Sequence, residues 1–435
     1  MVTTDPVEEV VDLCRDLIRI DTTNTGDLAT CAGERAAAEY VAAKLAEVGL
    51  EPEIRESEPG RTSVVARYEG ADPGRGALLV HGHLDVVPAD AAEWSVDPFS
   101  GELRDGYLWG RGAIDMKDFD AMVLAVARDW RRRGVTPPRD LVLCFTADEE
   151  AGGAYGAHFL VDKHRDLLDG CTEAVGEVGG FSYTVNDDLR LYLIQTAEKG
   201  IQWLRMAARG RPGHGSMVND DNAVTALAEA VARLGRHRFP VSVTPTVKAF
   251  LEEIAAIGID VDPGDPEAAI AKLAPVAGLI GATVRNTANP TGLAAGYKHN
   301  VIPGRAAATV DCRTLPGQRE EFLAQLREVV GPDVELEHVV DLPAVETRYE
   351  GPIVEAMAAA LRAEDPGARP LPYMVSAGTD AKAWDRLGIR CFGFAPLRLP
   401  ADLNFAQLFH GIDERVPVEG LRFGVRVLDR FLSQA

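Results

Sequence analysis

The stretch Leu78-Leu79-Val80-His81-Gly82-His83-Leu84-Asp85 is an apolar strand that runs straight into His-x-His-x-Asp. In an extended chain alternate side chains share a face, so His81, His83 and Asp85 can converge at the strand's C-terminal end. Open α/β sheets place their sites at that end. On this stretch alone, a metal site and a pair of hydrogen-bonded structural histidines both fit.

Working outward, β-like runs at Ser63 to Tyr68 and Asp140 to Phe145 alternate with helical patterns at Glu34 to Val48 and Lys117 to Arg133. That alternation predicts an α/β domain with a buried, mostly central sheet. From about Glu198 to Asp341 the pattern changes to strand (Gln202 to Ala208), helix (Asn222 to Arg236), strand (near Thr291), strand (Arg305 to Arg313), helix (Gln318 to Val330), strand (Val334 to Val340). The order β-α-β-β-α-β is that of a ferredoxin-like domain. The expected organisation is a discontinuous α/β domain of residues 1–197 plus 342–435 around an inserted domain of residues 198–341, with extra helical material from Val247 to Ile280.

The chain of 435 residues carries 45 Lys+Arg against 67 Asp+Glu, a net charge of −22 that repels nucleic-acid phosphates. The basic runs Arg131-Arg132-Arg133 and Arg236-His237-Arg238 are too short for a nucleic-acid footprint and suit solvated helix ends. No apolar run approaches the roughly 18 residues of a membrane span, so no membrane partner is expected. Met1 to Arg19 is acidic and amphipathic, unlike a secretory signal, which predicts a first helix and a cytoplasmic protein. The six cysteines are scattered without a C-x-x-C, as reduced thiols are, so any metal must be held by His and carboxylates.

Such residues recur at other strand ends. Gly110-Arg111-Gly112-Ala113-Ile114-Asp115 precedes a helix, lacks the third glycine of a dinucleotide loop, and places an acid at a glycine-lined turn. A cation ligand and a helix N-cap both fit Asp115. Leu141 to Ala147 leads into three consecutive carboxylates, Asp148, Glu149 and Glu150, a crowding that a cation or a shared proton relieves. Glu177 follows a short β-like run, and His410 lies in Leu408-Phe409-His410-Gly411-Ile412-Asp413-Glu414. Taken singly, either is compatible with a structural role. Together these positions supply imidazoles and carboxylates suited to zinc.

In this order, from His83 to His410, the motifs resemble those of the di-zinc aminoacylase / carboxypeptidase G / acetylornithine deacetylase / succinyl-diaminopimelate desuccinylase family. The run Trp94-Ser95-Val96-Asp97-Pro98-Phe99-Ser100-Gly101 is most similar to its carboxypeptidase S and aminoacylase side. The resemblance implies a zinc-peptidase-like catalytic domain, the ferredoxin-like insertion serving as lid and dimerisation domain, and two Zn2+ per subunit, with Co2+ or Mn2+ as substitutes. His83 and Glu177 would hold one zinc, Glu150 and His410 the other, and Asp115 would bridge them; His81 matches no ligand. Asp85 would orient His83, since a carboxylate on the second ring nitrogen fixes the tautomer. Metals about 3.5–4 Å apart acidify a shared water, and Glu149 would take its proton as hydroxide attacks a carbonyl. A cis peptide is implied at Asp115-Met116.

In the lid, Gly210-Arg211-Pro212-Gly213-His214-Gly215-Ser216 resembles the family's histidine loop, and His214 would stabilise the oxyanion, often from the neighbouring subunit of a homodimer. Asn300 and Arg313 match positions that grip the substrate carboxylate, for which the planar guanidinium fork is apt. Gly378 lies in Ser376-Ala377-Gly378-Thr379-Asp380, a loop whose amides would contact the same end, although Ala377 stands where many relatives have glycine. The implied activity is amide hydrolysis of an N-acyl amino acid or short peptide, releasing an amino acid. A carboxypeptidase or dipeptidase differs only on the acyl side of the bond, and a metal-binding scaffold without catalysis is the alternative of another class. A serine hydrolase is excluded by the missing G-x-S-x-G elbow.

Overall fold

The computed structural model describes residues 5–273 and 280–435. Its chain forms two compact units, one running to Thr196 and resuming over Thr347–Tyr373 and Thr379–Ala435, the other made of Ala197–Glu346 and Met374–Gly378.

In the first unit the strands Glu53–Glu58, Arg61–Tyr68, Leu141–Thr146, Ala77–His83, Cys171–Gly176 and Arg390–Gly393 lie side by side in that order in a mixed sheet. Arg61–Tyr68 is antiparallel to its neighbours, whereas Leu141–Thr146, Ala77–His83, Cys171–Gly176 and Arg390–Gly393 are mutually parallel. Every residue of Ala77–His83 and Leu141–Thr146 is buried, which explains why 77–80 and 141–145 read as unbroken apolar runs rather than alternating ones. Leu79, Val142 and Ala174 from three adjacent strands share a core with Leu160 and Trp384. The helices Pro6–Ile18, Lys117–Arg133 and Val418–Leu432 pack on one another. Pairing of His83 with Thr146 brings these two parallel strands to an end together, so the loops that follow emerge at one edge.

The sequence places Arg131, Arg132 and Arg133 at a helix end, and Lys117–Arg133 does stop there on Gly134 at φ +68°. Cations suit the negative end of the helix dipole. They are not all solvated, however: Arg132 turns inward and donates to both carboxylate oxygens of Glu9, which Arg128 also meets at 2.8 Å. All six cysteines are free.

The second unit holds the four-stranded sheet Thr287–Ala295, Arg305–Thr314, Gly200–Arg209, Val334–Leu342, antiparallel throughout. Helices Ala223–Arg236 and Arg319–Val330 supply Leu227, Leu234, Phe322 and Leu326 to a core with Leu204, Met206 and Val310. Chain order is β-α-β-β-α-β, the ferredoxin-like arrangement. Of the extra material from Val247 to Ile280, helices Pro245–Ala256 and Pro266–Ala271 are seen, and 274–279 lie outside the described residues.

Candidate metal centre

His83 ends the Ala77–His83 strand and is 1 % exposed. Glu149 and Glu150 sit in the 3-10 turn that follows Leu141–Thr146, launched by Asp148 at φ +67°. Glu177 directly follows Cys171–Gly176. Asp115 occupies the turn before Lys117–Arg133, where the Asp115–Met116 peptide is cis. His410 follows the 3-10 turn Phe405–Gln407 with φ +56°. Five loops thus deliver six side chains to one point.

The His83 Nε2 lies 3.1 Å from Asp115 Oδ1, 3.6 Å from Glu177 Oε2 and 4.0 Å from Glu149 Oε2. His410 Nε2 lies 3.2 Å from Asp115 Oδ2 and 3.1 Å from Glu150 Oε2. Asp115 therefore turns one oxygen to each imidazole. Donor atoms of His83, Glu149 and Glu177, and again of His83, Asp115 and Glu150, lie within 4.8 Å of one another, close enough to share a metal ion.

Electrostatics test the fit. Burial pushes the Glu149 carboxyl up and the charge of Glu177 adds to it, while burial raises Glu177 itself to about 7. Glu150 is raised by burial and by Asp115. Burial would lower His83, but its hydrogen bonds to Asp115 and Glu177 outweigh that and raise it. His410 is raised to about 10 by hydrogen bonds to Asp115 and Glu150. A divalent cation would relieve the repulsion among carboxylates raised in this way, favour their charged forms and displace protons from them. Imidazole and carboxylate donors together suit zinc.

The sequence neighbours of these ligands behave differently from one another. Asp85 touches His83 through its backbone carbonyl, 2.9 Å from Nδ1, whereas its carboxylate stands 3.6 Å away. That carboxylate instead accepts the backbone N–H groups of Glu149 and Glu150, each at 3.1 Å, and the Asn24 amide at 2.8 Å. His81 is a structural residue: its ring stacks edge-on against Trp384, 5.6 Å between centroids, and burial lowers its pKa to about 3.

In the second unit, His214 pairs with Val301 and is exposed, its Nδ1 2.9 Å from Ser216 Oγ. Asn300 is held to the same loop, its carbonyl accepting the Gly215 N–H at 2.9 Å. The Arg313 fork closes on Asp311, at 2.7 and 3.0 Å. Gly378 closes the short Met374–Gly378 segment.

The model of peptidase family M20/M25/M40 matches residues 79–434, a span that holds every residue of this cluster. This chain belongs to that family. It is a metallohydrolase of amide bonds. It is 27% identical over 390 residues to the probable carboxypeptidase S-like 2 of Dictyostelium discoideum, covering 83% of this chain and 72% of the relative. It is 27% identical over 419 residues to the N-fatty-acyl-amino acid synthase/hydrolase PM20D1 of Mus musculus, covering 88% of this chain and 80% of that one. The M20 family metallo-carboxypeptidase Sso-CP2 from Sulfolobus solfataricus has the same fold, with TM-score 0.76 at 17% identity over 98% of this chain and 99% of the other.

Sequence reading missed the residues that support the cluster. Arg61 joins Glu34 and Asp148 in a buried ion network that Asn24 links to Asp85, and Thr146 Oγ1 donates to Asp380 at 2.6 Å. Asp148 and Asp380 stand inside motifs the sequence singles out, but Asn24 and Arg61 carry no local signal.

Proposed function

We propose that this protein is a di-zinc hydrolase that releases a free amino acid from an N-acyl amino acid or a short peptide. The observation that carries the reading is Asp115, with one oxygen toward His83 and the other toward His410. His83 and Glu177 would hold one Zn2+, Glu150 and His410 the second, and Asp115 both. Bound zinc supplies Lewis acidity and an acidified water.

The chain's own residues do the rest. Glu149 lies within the cluster, where burial first and then the charge of Glu177 raise its carboxyl, which suits a general base that accepts a proton and returns it to the leaving amine. Asp85 fixes the turn that carries Glu149 and Glu150. His214 would donate to the developing oxyanion, Asn300 and Arg313 would bind the substrate carboxylate, with Arg313 exchanging Asp311 for it, and Gly378 amides would line the same end. The unit Ala197–Glu346 would act as lid and dimer contact, with His214 working in trans, in a cytoplasmic homodimer. No helix among the described residues is long and apolar enough to cross a membrane.

The mouse relative is named for N-fatty-acyl-amino acids and the Dictyostelium one for carboxypeptidase S, so both acyl amino acids and peptides belong in the test. Zinc-loaded protein is incubated with N-acetyl, N-succinyl and long-chain N-acyl amino acids and with dipeptides, and products are read by mass spectrometry against Glu149→Gln. Amino-acid release by the wild type, reduced about 10²–10⁴-fold in the variant, supports the reading. Equal release by both removes Glu149 as base; release from dipeptides alone favours the dipeptidase form.

A further inference from the structure

His410 is poorly secured by its own surroundings. Its side chain is 55% exposed, its backbone has φ +56°, and it lies outside any helix or strand. A ligand so placed must be held from outside. What holds it is a buried ion pair between Arg111, in the turn that leads to Asp115, and Glu414, four positions after His410 in the chain.

Arg111 Nη1 donates to Glu414 Oε2 at 2.6 Å, with the two side chains 4% and 0% exposed. Arg111 Nη2 reaches the carbonyls of Gly411 at 3.1 Å and His410 at 3.4 Å. The other oxygen of Glu414 accepts the Ile114 N–H at 2.8 Å, next to Asp115. The Glu414 carbonyl accepts the Gly110 N–H at 3.0 Å. Each partner therefore grips the backbone beside the ligand on the other's segment: the arginine grips the His410 turn, the glutamate the Asp115 turn. The strands beyond are joined as well, Arg415–Pro417 pairing with Tyr107–Trp109. The planar fork suits this task, because one of its nitrogens meets the carboxylate while the other meets the two carbonyls.

We infer that Arg111 and Glu414 are positioning residues that set the spacing between Asp115 and His410, and so control occupancy of the Glu150–His410 metal position, which depends on both turns, more than that of the His83–Glu177 position, which depends on the Asp115 turn alone. The inference rests on the di-zinc reading above. Supporting groups around metal ligands are worth about 10–100-fold in metal affinity or activity.

The test measures zinc stoichiometry and the two dissociation constants by chelator competition, with the melting temperature of chelator-stripped protein recorded alongside. Wild type is compared with Arg111→Lys, which keeps the charge and loses the fork, with isosteric Glu414→Gln, with His410→Ala, and with the double variant His410→Ala/Glu414→Gln. The expected result is about 10–100-fold weaker binding of one zinc in Arg111→Lys and in Glu414→Gln, a smaller change in the other constant, and no further loss at the Glu150–His410 position when Glu414→Gln is added to His410→Ala. Wild-type constants in both Arg111→Lys and Glu414→Gln overturn the inference. Equal weakening of both metals, or loss of folding by the stripped protein in both variants, also overturns it by making the pair a general element of the fold. If wild type itself does not bind two zincs, the di-zinc reading fails, and this inference falls with it.

Discussion

Asp85→Asn removes one charge and almost no volume from the support of the cluster. The Asp85 side chain is 0% exposed, and its two oxygens accept the backbone N–H groups of Glu149 and Glu150, each at 3.1 Å. An asparagine has one acceptor and one NH2. Whichever way the amide turns, a donor faces a donor: either the Glu149 N–H is orphaned, or the Glu150 N–H and the Asn24 amide at 2.8 Å both are. An unsatisfied buried donor costs about 1–3 kcal/mol. The turn can relieve that cost only by shifting, and it carries the proposed base and a proposed ligand. If the whole cost appears in the transition state, at about 1.4 kcal/mol per tenfold, kcat falls roughly 5–150-fold. The assay is kcat at saturating substrate on zinc-reconstituted protein, with zinc content and melting temperature measured in parallel. A variant that keeps both metals and a kcat within about twofold of wild type would refute the reasoning.

Two further outcomes follow from the same geometry. Burial pushes the Glu9 carboxyl up, but its hydrogen bonds to Arg132 and Arg128 outweigh this and leave its pKa below 4.5. Because the folded value is the lower one, its contribution is present above pH 4.5 and is lost as the pH falls through the folded value. Glu9→Gln should therefore cost about 1.5–3 kcal/mol in denaturant unfolding at pH 7 and progressively less in acid; a loss independent of pH contradicts the ion-pair account. His214→Ala touches an exposed residue and should leave the melting temperature unchanged while lowering kcat about 10²–10³-fold, as loss of an oxyanion donor does. Unchanged kcat with raised KM would reassign His214 to substrate binding.

Much of the cluster was legible in the sequence because each of His83, Glu149, Glu150 and Glu177 follows an apolar run, and parallel strands bring such ends to one edge. The ferredoxin-like unit was legible because its strands and helices alternate in period. What sequence could not show was which groups support the ligands. Arg111 and Glu414 lie inside the motifs quoted for Asp115 and His410, yet nothing local says that they meet. The same holds for Asn24 and Asp85. Expectation also assigned the Asp85 carboxylate to His83; the structure gives that contact to the backbone carbonyl, because the carboxylate is taken by the Glu149 and Glu150 amides. For His81 the alternation of a strand put a second histidine near the site; the resemblance left it out of the ligand set, and its packing against Trp384 gives it a structural role.

The most direct test of the central claim is amide hydrolysis followed while zinc is returned to chelator-stripped protein, with Glu149→Gln titrated beside it. The account predicts that activity appears with added zinc and levels off at about two equivalents per chain, and that the variant takes up the same zinc without regaining turnover. Full turnover without metal, or in zinc-loaded Glu149→Gln, would contradict it.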